Sequence, residues 1–214
     1  MGWLNLINLP QKVYPCLVSL FYVLLKCTDE EDGDFSIISY VKGKSIEFDI
    51  PTLARIIGVE QGNKQIYFHS ESDLLDIVGD ISEVYTTICE SRFTRSNLQA
   101  RHLKPYLRIL YRFIIENVTP RRGHFHAIPI FNAYLLYCFE IGHKLDLCYI
   151  LMKEIAVANL GHITGWSLVF GVLRTKIFKA FKIRLVGEVE TKYLQQFRST
   201  HSLELEVLKI YFKV

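Results

Sequence analysis

The chain lacks a hydrophobic run long enough to cross a membrane. Its longest run extends from Val13 to Leu25, thirteen residues bounded by Lys12 and Lys26, whereas a spanning helix needs about 20 apolar residues. The same run is without the basic leader and the small-residue cleavage site of a signal peptide. We therefore expect no membrane segment and no secretion signal.

The chain also lacks paired cysteines. It has five cysteines, an odd number, and none of them forms a Cys-x-x-Cys pair. Their positions are Cys16, Cys27, Cys89, Cys138 and Cys148. Scattered, unpaired cysteines are typical of thiols in a reducing compartment. We therefore expect an intracellular protein, nuclear or cytoplasmic.

Nucleotide-binding and hydrolase motifs are missing as well. Gly43-Lys44-Ser45 resembles the end of a phosphate-binding loop, but Ile38 occupies the place of the required first glycine and a strand pattern follows. Ser167 is followed by Leu168-Val169, which does not match the nucleophile elbow of hydrolases. These departures exclude both motifs.

Histidine and cysteine come together in one part of the chain without a metal-binding spacing. The residues concerned are His124, His126, Cys138, His143 and Cys148. Their spacing matches no zinc module, and the cysteines fall within apolar helical patterns. We therefore predict no enzyme activity, no cofactor, no metal site and no small-molecule substrate.

The distribution of charge is asymmetric along the chain. Residues 1–100 hold 8 basic and 14 acidic residues, a net charge of −6, whereas residues 101–214 hold 17 and 8, a net charge of +9. A basic half favours an acidic partner such as DNA, RNA or the acidic patch of a protein. The alternative is a solvated surface whose charge is balanced by the acidic half of the same molecule.

The hydrophobic patterns predict an α+β fold, a predominantly helical single domain with an N-terminal β-hairpin and a short C-terminal strand. Pro15 begins a helix that is apolar nearly all round, which indicates a place in the core. Residues 35–50 alternate as a hairpin does, with Lys42-Gly43-Lys44 as the turn. Further helices are predicted at about 103–117, 127–141, 146–158 and 170–183, and residues 203–212 alternate as a strand.

The helix at about 103–117 has a basic face. At about 100° per residue, its leucines and its basic residues fall on different sides. Tyr106 and Tyr111 are close enough in sequence to stack with bases. The candidate nucleic-acid-binding residues are this face, the two arginines that follow it and three lysines of the helix at 170–183: Lys104, Arg108, Arg112, Arg121, Arg122, Lys176, Lys179 and Lys182. The alternative is an ordinary solvated helix face.

Several segments, taken in order, resemble one known family. The opening helix is carried by Tyr14-Pro15-Cys16-Leu17-Val18 with Phe21-Tyr22, and the hairpin and short helix by Val41 to Phe48 with Ile56-Ile57-Gly58. The later helices are carried by Val118-Thr119-Pro120, His124, Ala133 to Tyr137, Gly142 and Ile150 to Ile155. Residues 10–184 resemble the putative plant transposon protein domain, a retroelement-related family of flowering plants, and residues 185–214 form a C-terminal extension.

The resemblance implies a role in binding, since the family has no established catalytic residues and is similar in character to plant mobile domains. Our first hypothesis is a non-enzymatic, transposon-derived interaction module with a protein partner. The alternative is sequence-independent binding of DNA or RNA through the basic helical face. A third hypothesis is a degenerate metal-dependent transposase or nuclease, which requires carboxylates that converge on a metal ion.

Overall fold

The computed structural model of the chain describes residues 2–6, 9, 12–29, 35–90, 98–120, 125–160 and 170–192. These residues divide into two compact units. One unit takes its residues from the chain up to Gln61 and again from Leu147 onwards, and the other comprises Gly62–Asp146. Eight α-helices and five strands occur in the described ranges. The predicted α+β, predominantly helical fold is confirmed.

The first unit combines four helices with two small sheets. Its elements are a 3-10 helix at Gly2–Leu6, β1 (Lys12–Val13), α1 (Pro15–Val23), β2 (Lys26–Asp29), β3 (Phe35–Val41), β4 (Lys44–Asp49), α2 (Ile50–Ile57), α7 (Leu147–Leu160), α8 (Gly171–Ala180) and β5 (Thr191–Lys192). Strands β2, β3 and β4 form an antiparallel sheet in that order, and β1 pairs with β5.

The predicted hairpin is confirmed as β3 and β4. Val41 pairs with Lys44, which leaves Lys42 and Gly43 as a two-residue turn. Both turn residues have positive φ, +49° for Lys42 and +79° for Gly43. This is the signature of a type I′ turn, whose twist matches that of the flanking strands. The edge strand β2 was not predicted, because it follows the apolar run directly and has no alternation of its own.

Local capping signals begin and end α2. The Asp49 side chain accepts a hydrogen bond from the backbone N–H of Thr52 at 2.8 Å. Hydrogen bonds from the Thr52 side chain, the largest contribution, and from its backbone N–H hold the pKa of Asp49 below its usual value. The helix ends at Gly58, which adopts the left-handed conformation at φ +76° as a helix C-terminus favours. Both signals are visible in the sequence.

The second unit is helical. Its elements are α3 (Glu71–Val78), α4 (Ile81–Ile88), a 3-10 helix at Ala100–His102, α5 (Pro105–Asn117) and α6 (Ile130–Glu140). Ser70 and Asp73 form a capping box at the start of α3, and Gly79 ends that helix. At the start of α4, the Asp80 side chain accepts a hydrogen bond from the backbone N–H of Ser82 at 2.8 Å, as an N-cap residue does.

Buried apolar side chains form the core of the second unit. Leu103, Leu107, Leu110 and Ile114 are all at most 4% exposed, so the predicted apolar face of α5 is confirmed. The helix itself begins at Pro105 and not at residue 103, because proline fits the first turn. The predicted strand at 203–212 lies outside the described residues.

Candidate functional site

The three described basic residues of the predicted α5 face are all engaged by acidic residues. Lys104 precedes α5 as its N-cap residue, and its Nζ lies 2.6 Å from Oε1 of Glu140. Arg108 contacts Glu90 at 3.1 Å. Arg112 forms the third pair, with Glu116 of the same helix.

Arg112 and Glu116 form an i, i+4 pair along α5, with 3.1 Å between Nε and Oε1. Exposed pairs of this kind are worth at most about 1 kcal/mol each, so they do not hold the fold together. They do place a carboxylate beside each cation, which lowers the positive potential that phosphates would meet. Arg121 and Arg122 lie outside the described residues.

The two tyrosines of α5 differ in their availability for base stacking. Tyr111 is 2% exposed and its hydroxyl donates to the carbonyl of Ala127 at 2.9 Å. The prediction that Tyr111 could stack with bases is therefore wrong, because its ring belongs to the core. Tyr106 is part-buried, and its hydroxyl donates to Glu140 at 2.6 Å, the same carboxylate that Lys104 contacts.

The three predicted lysines after Phe170 lie in the first unit and have different surroundings. The Nζ of Lys176 donates to the carbonyl of Ile57 at the end of α2, at 3.1 Å, and burial lowers the pKa of this amine. Lys179 is exposed in the last turn of α8. Lys182 lies beyond the end of α8, at φ +55°, so its predicted place on that helix is wrong.

A second group of basic residues lies beside the β3–β4 turn. Sequence patterns did not predict that these residues come together. The Nζ of Lys44 donates to the carbonyl of Lys182 at 2.7 Å, and the Nζ of Lys42 donates to the carbonyl of Arg184 at 3.3 Å. We call Lys42, Lys44, Lys182 and Arg184 the hairpin-tip cluster. The basic turn was visible in the sequence, but its contact with residues about 140 positions later was not.

The outer side of α1 carries apolar residues at the surface. Leu20 is 44% exposed, Val23 65% and Leu24 46%. With the exposed Cys16 they fall within an arc of about 100° around the helix axis. We call these four residues the α1 apolar face. The predicted place of this helix in the core therefore holds for one of its sides and not for the other.

The opposite side of α1 packs into the core, as predicted. Leu17, Val18, Phe21 and Tyr22 are buried, and they occupy the other side of the helix. The sequence pattern could not separate the two sides, because every position from Leu20 to Leu25 is apolar. Periodicity locates a buried face only when polar residues mark the exposed one.

The five cysteines all lie in the described part of the chain, and none of them is in a disulfide. Cys16 and Cys27 are exposed, whereas Cys89, Cys138 and Cys148 are buried. Burial raises the pKa of Cys138 to about 11, which keeps this thiol protonated and unreactive. Among the described residues, no group of three or more His, Cys, Asp or Glu side chains could hold a metal ion.

A family model described as putative plant retrotransposon-related domain matches residues 1–184. The chain belongs to this family. The match covers more than four fifths of the sequence, includes α1 to α8, and confirms the resemblance found in the residues. Neither a search of curated proteins nor a search of solved structures gives a significant match. No helix among the described residues of this retrotransposon-related chain is long and apolar enough to span a bilayer.

Proposed function

We propose that this retrotransposon-related domain is a non-enzymatic interaction module and that it pairs with a second copy of itself. The observation that carries the proposal is the α1 apolar face. Large aliphatic side chains that are scattered singly over a surface need no explanation, whereas a contiguous group of them marks a contact site. The spacing of Cys16, Leu20, Val23 and Leu24, with steps of four, three and one, is the pattern by which a helix docks on a partner.

A second copy is the partner that suits this face best. The sequence has no Asp, Glu, Lys or Arg between Lys12 and Lys26. A symmetric dimer places the same patch of both copies together. Because like charges would then lie opposite each other, a face without charged side chains is the kind that can pair with itself.

The expected strength is modest. Full burial of a leucine or valine side chain contributes about 1.5–3 kcal/mol, and Leu20 and Leu24 already bury more than half of their surface. Six such side chains in a dimer would contribute roughly 6 kcal/mol, and the cost of association offsets part of this gain. We therefore expect a weak, reversible dimer.

We further propose that the domain acts inside the cell, in the nucleus or the cytoplasm. The exposed thiols of Cys16 and Cys27 support this placement, because thiols at the surface persist in reducing compartments and are oxidised elsewhere.

Two leucines of equal exposure provide the test. Leu20 and Leu75 are both 44% exposed, and each lies on a helix, α1 and α3 respectively. We expect Leu20→Glu to abolish self-association, because it places a buried charge opposite its symmetry mate, and we expect Leu75→Glu to leave it unchanged. Sedimentation velocity of the unmodified chain and both variants, from about 1 µM to about 500 µM, measures how the weight-average mass rises with concentration.

Circular dichroism verifies that both variants retain the helical content of the unmodified chain. A monomer at every concentration for the unmodified chain would overturn the proposal. So would an equal loss of association in the two leucine variants.

A further inference from the structure

The described cations at the end of α8 differ from those of α5 in having no acidic partner. Each described basic residue of the α5 face contacts a carboxylate. By contrast, the side chains of Lys179, Lys182 and Arg184 form no ion pair and no hydrogen bond within the part of the chain that the structure describes. The first unit therefore carries positive charge without an acidic partner among the described residues, beside the β3–β4 turn.

Backbone contacts fix the hairpin-tip cluster in place. Lys44 and Lys42 hold the carbonyls of Lys182 and Arg184 through their ammonium groups. Lys42 also pairs with Glu188. These bonds tie the segment after α8 to a type I′ turn, so four basic residues are held in one place and, in the described part of the chain, only Lys42 is seen to pair with an acidic residue. A preorganised cluster loses little conformational entropy when it binds an anion.

An exposed aromatic ring stands beside the cluster. Tyr40 is 52% exposed and lies two residues before the turn. A Cβ at Gly43 would come within 3.9 Å of the Tyr40 hydroxyl oxygen, so the phenol lies next to the turn. Its neighbour across the hairpin is Ser45, a small residue that leaves the ring face open.

Cations beside an open aromatic ring are the elements of a site for single strands. Phosphates contact lysine and arginine, and bases stack on the ring without regard to sequence. A duplex would offer its phosphates but would keep its bases stacked on each other. We propose that the hairpin-tip cluster and Tyr40 bind single-stranded nucleic acid, the phosphates at Lys182 and Arg184 and one base on Tyr40.

The proposal is tested with the full chain and a labelled oligothymidylate of about 12 nucleotides, a length within the range of single-strand sites. Fluorescence anisotropy is recorded across a salt series. We compare Lys182→Gln/Arg184→Gln with Arg108→Gln/Arg112→Gln, since each double variant removes two positive charges. Lys42 and Lys44 are left unchanged because their ammonium groups hold the tip together.

We expect the Lys182→Gln/Arg184→Gln variant to bind at least about tenfold more weakly and to lower the salt slope by about 1.4, that is 0.7 for each lost phosphate contact. The Arg108→Gln/Arg112→Gln variant should bind as the unmodified chain does. If the arginine variant loses the affinity instead, α5 is the binding surface and the proposal fails. Absence of binding by the unmodified chain at low salt also overturns it.

A second pair of variants tests the role of the ring. Tyr40 and Phe125 are both 52% exposed. We expect Tyr40→Leu to weaken binding at least about fivefold without a change in salt slope, and Phe125→Leu to have no effect. Equal affinity of Tyr40→Leu and the unmodified chain, or equal affinity for a duplex and a single strand, would exclude stacking.

The cluster shares no residue with the α1 apolar face. The Leu20→Glu variant is therefore expected to bind the oligonucleotide as the unmodified chain does. Loss of oligonucleotide binding in that variant would show that the two properties are one, and would overturn the assignment of the site to the hairpin tip.

Discussion

At the scale of single residues, Arg174 has the most unusual surroundings in the first unit. It is fully buried, and its guanidinium carbon lies 4.8 Å from the ring centroid of Phe21, 4.9 Å from that of Tyr22 and 5.5 Å from that of Phe170. Its Nη2 donates to the Tyr22 hydroxyl at 2.5 Å, while Nε and Nη1 have no hydrogen-bond partner in the described structure. Burial lowers the pKa of Arg174, and cation–π contacts offset part of that desolvation.

The Tyr22 hydroxyl should therefore be coupled energetically to Arg174. Replacement of Tyr22 by Phe leaves a third buried donor without an acceptor, so we expect the free energy of unfolding to fall by about 1–3 kcal/mol. In an Arg174→Met background the same replacement should cost at least about 1 kcal/mol less, because no donor remains. Urea unfolding of the four proteins measures this difference. An equal effect of Tyr22→Phe in both backgrounds would contradict the coupling.

At the scale of elements, some segments are positioned by close contacts between backbones, which hydrophobic periodicity does not predict. Lys64 bridges to Leu145, and the N–H of Asp146 donates to the carbonyl of Lys64 at 3.0 Å. Gly62 lies against the same segment, so a Cβ there would overlap the backbone of Leu145 and Asp146. These contacts join the extended chain before α3 to the chain after α6. They require glycine at position 62 for reasons of space.

We expect Gly62→Ala to destabilise the chain by roughly 1–3 kcal/mol or more, because backbone atoms cannot move aside as side-chain ends can. Gly142 is the control. Its φ is +76° and no atom lies within 4 Å of a Cβ placed there. Gly142→Ala should cost only the backbone strain of about 1 kcal/mol. Thermal unfolding of both variants checks the order, and an effect of Gly62→Ala no larger than that of Gly142→Ala would contradict it.

How far each element could be predicted depends on the range of its signals. The caps at Asp49, Ser70 and Gly58 act within three or four residues, so neighbouring residues in the sequence are enough to recognise them. The hairpin turn is similarly local. The hairpin-tip cluster depends on contacts between residues about 140 positions apart, and no pattern in a single sequence reports such a contact.

The candidate binding residues show the same division. The amphipathic pattern of α5 correctly separated its buried leucines from its basic residues. It could not show that each basic residue contacts a carboxylate, because two of the three partners, Glu90 and Glu140, lie outside α5. In α1 the hydrophobic pattern did not distinguish the buried side of the helix from the exposed side, for a different reason. Apolar residues on every side gave no contrast, and only tertiary packing decides that Leu20 and Val23 remain exposed.

At the scale of the whole molecule, the family match over residues 1–184 covers both compact units. Both proposed binding surfaces lie on the first unit, an uncharged one on α1 and a basic one at the hairpin tip. The charge asymmetry of the sequence, −6 in residues 1–100 and +9 in residues 101–214, therefore does not place all basic binding residues in the C-terminal half. Lys42 and Lys44 come from the acidic half, and only folding brings them to Lys182 and Arg184.

If copies of the chain pair through α1, as we propose, the thiol of Cys16 becomes covered on pairing, because it belongs to the α1 apolar face. Alkylation of Cys16 by iodoacetamide, followed by mass spectrometry of the Cys16 peptide, measures the exposure of the face as the protein concentration rises. We expect the rate of alkylation to fall with concentration in the unmodified chain and to remain constant in Leu20→Glu. A rate of Cys16 alkylation that is independent of concentration in the unmodified chain would contradict the claim.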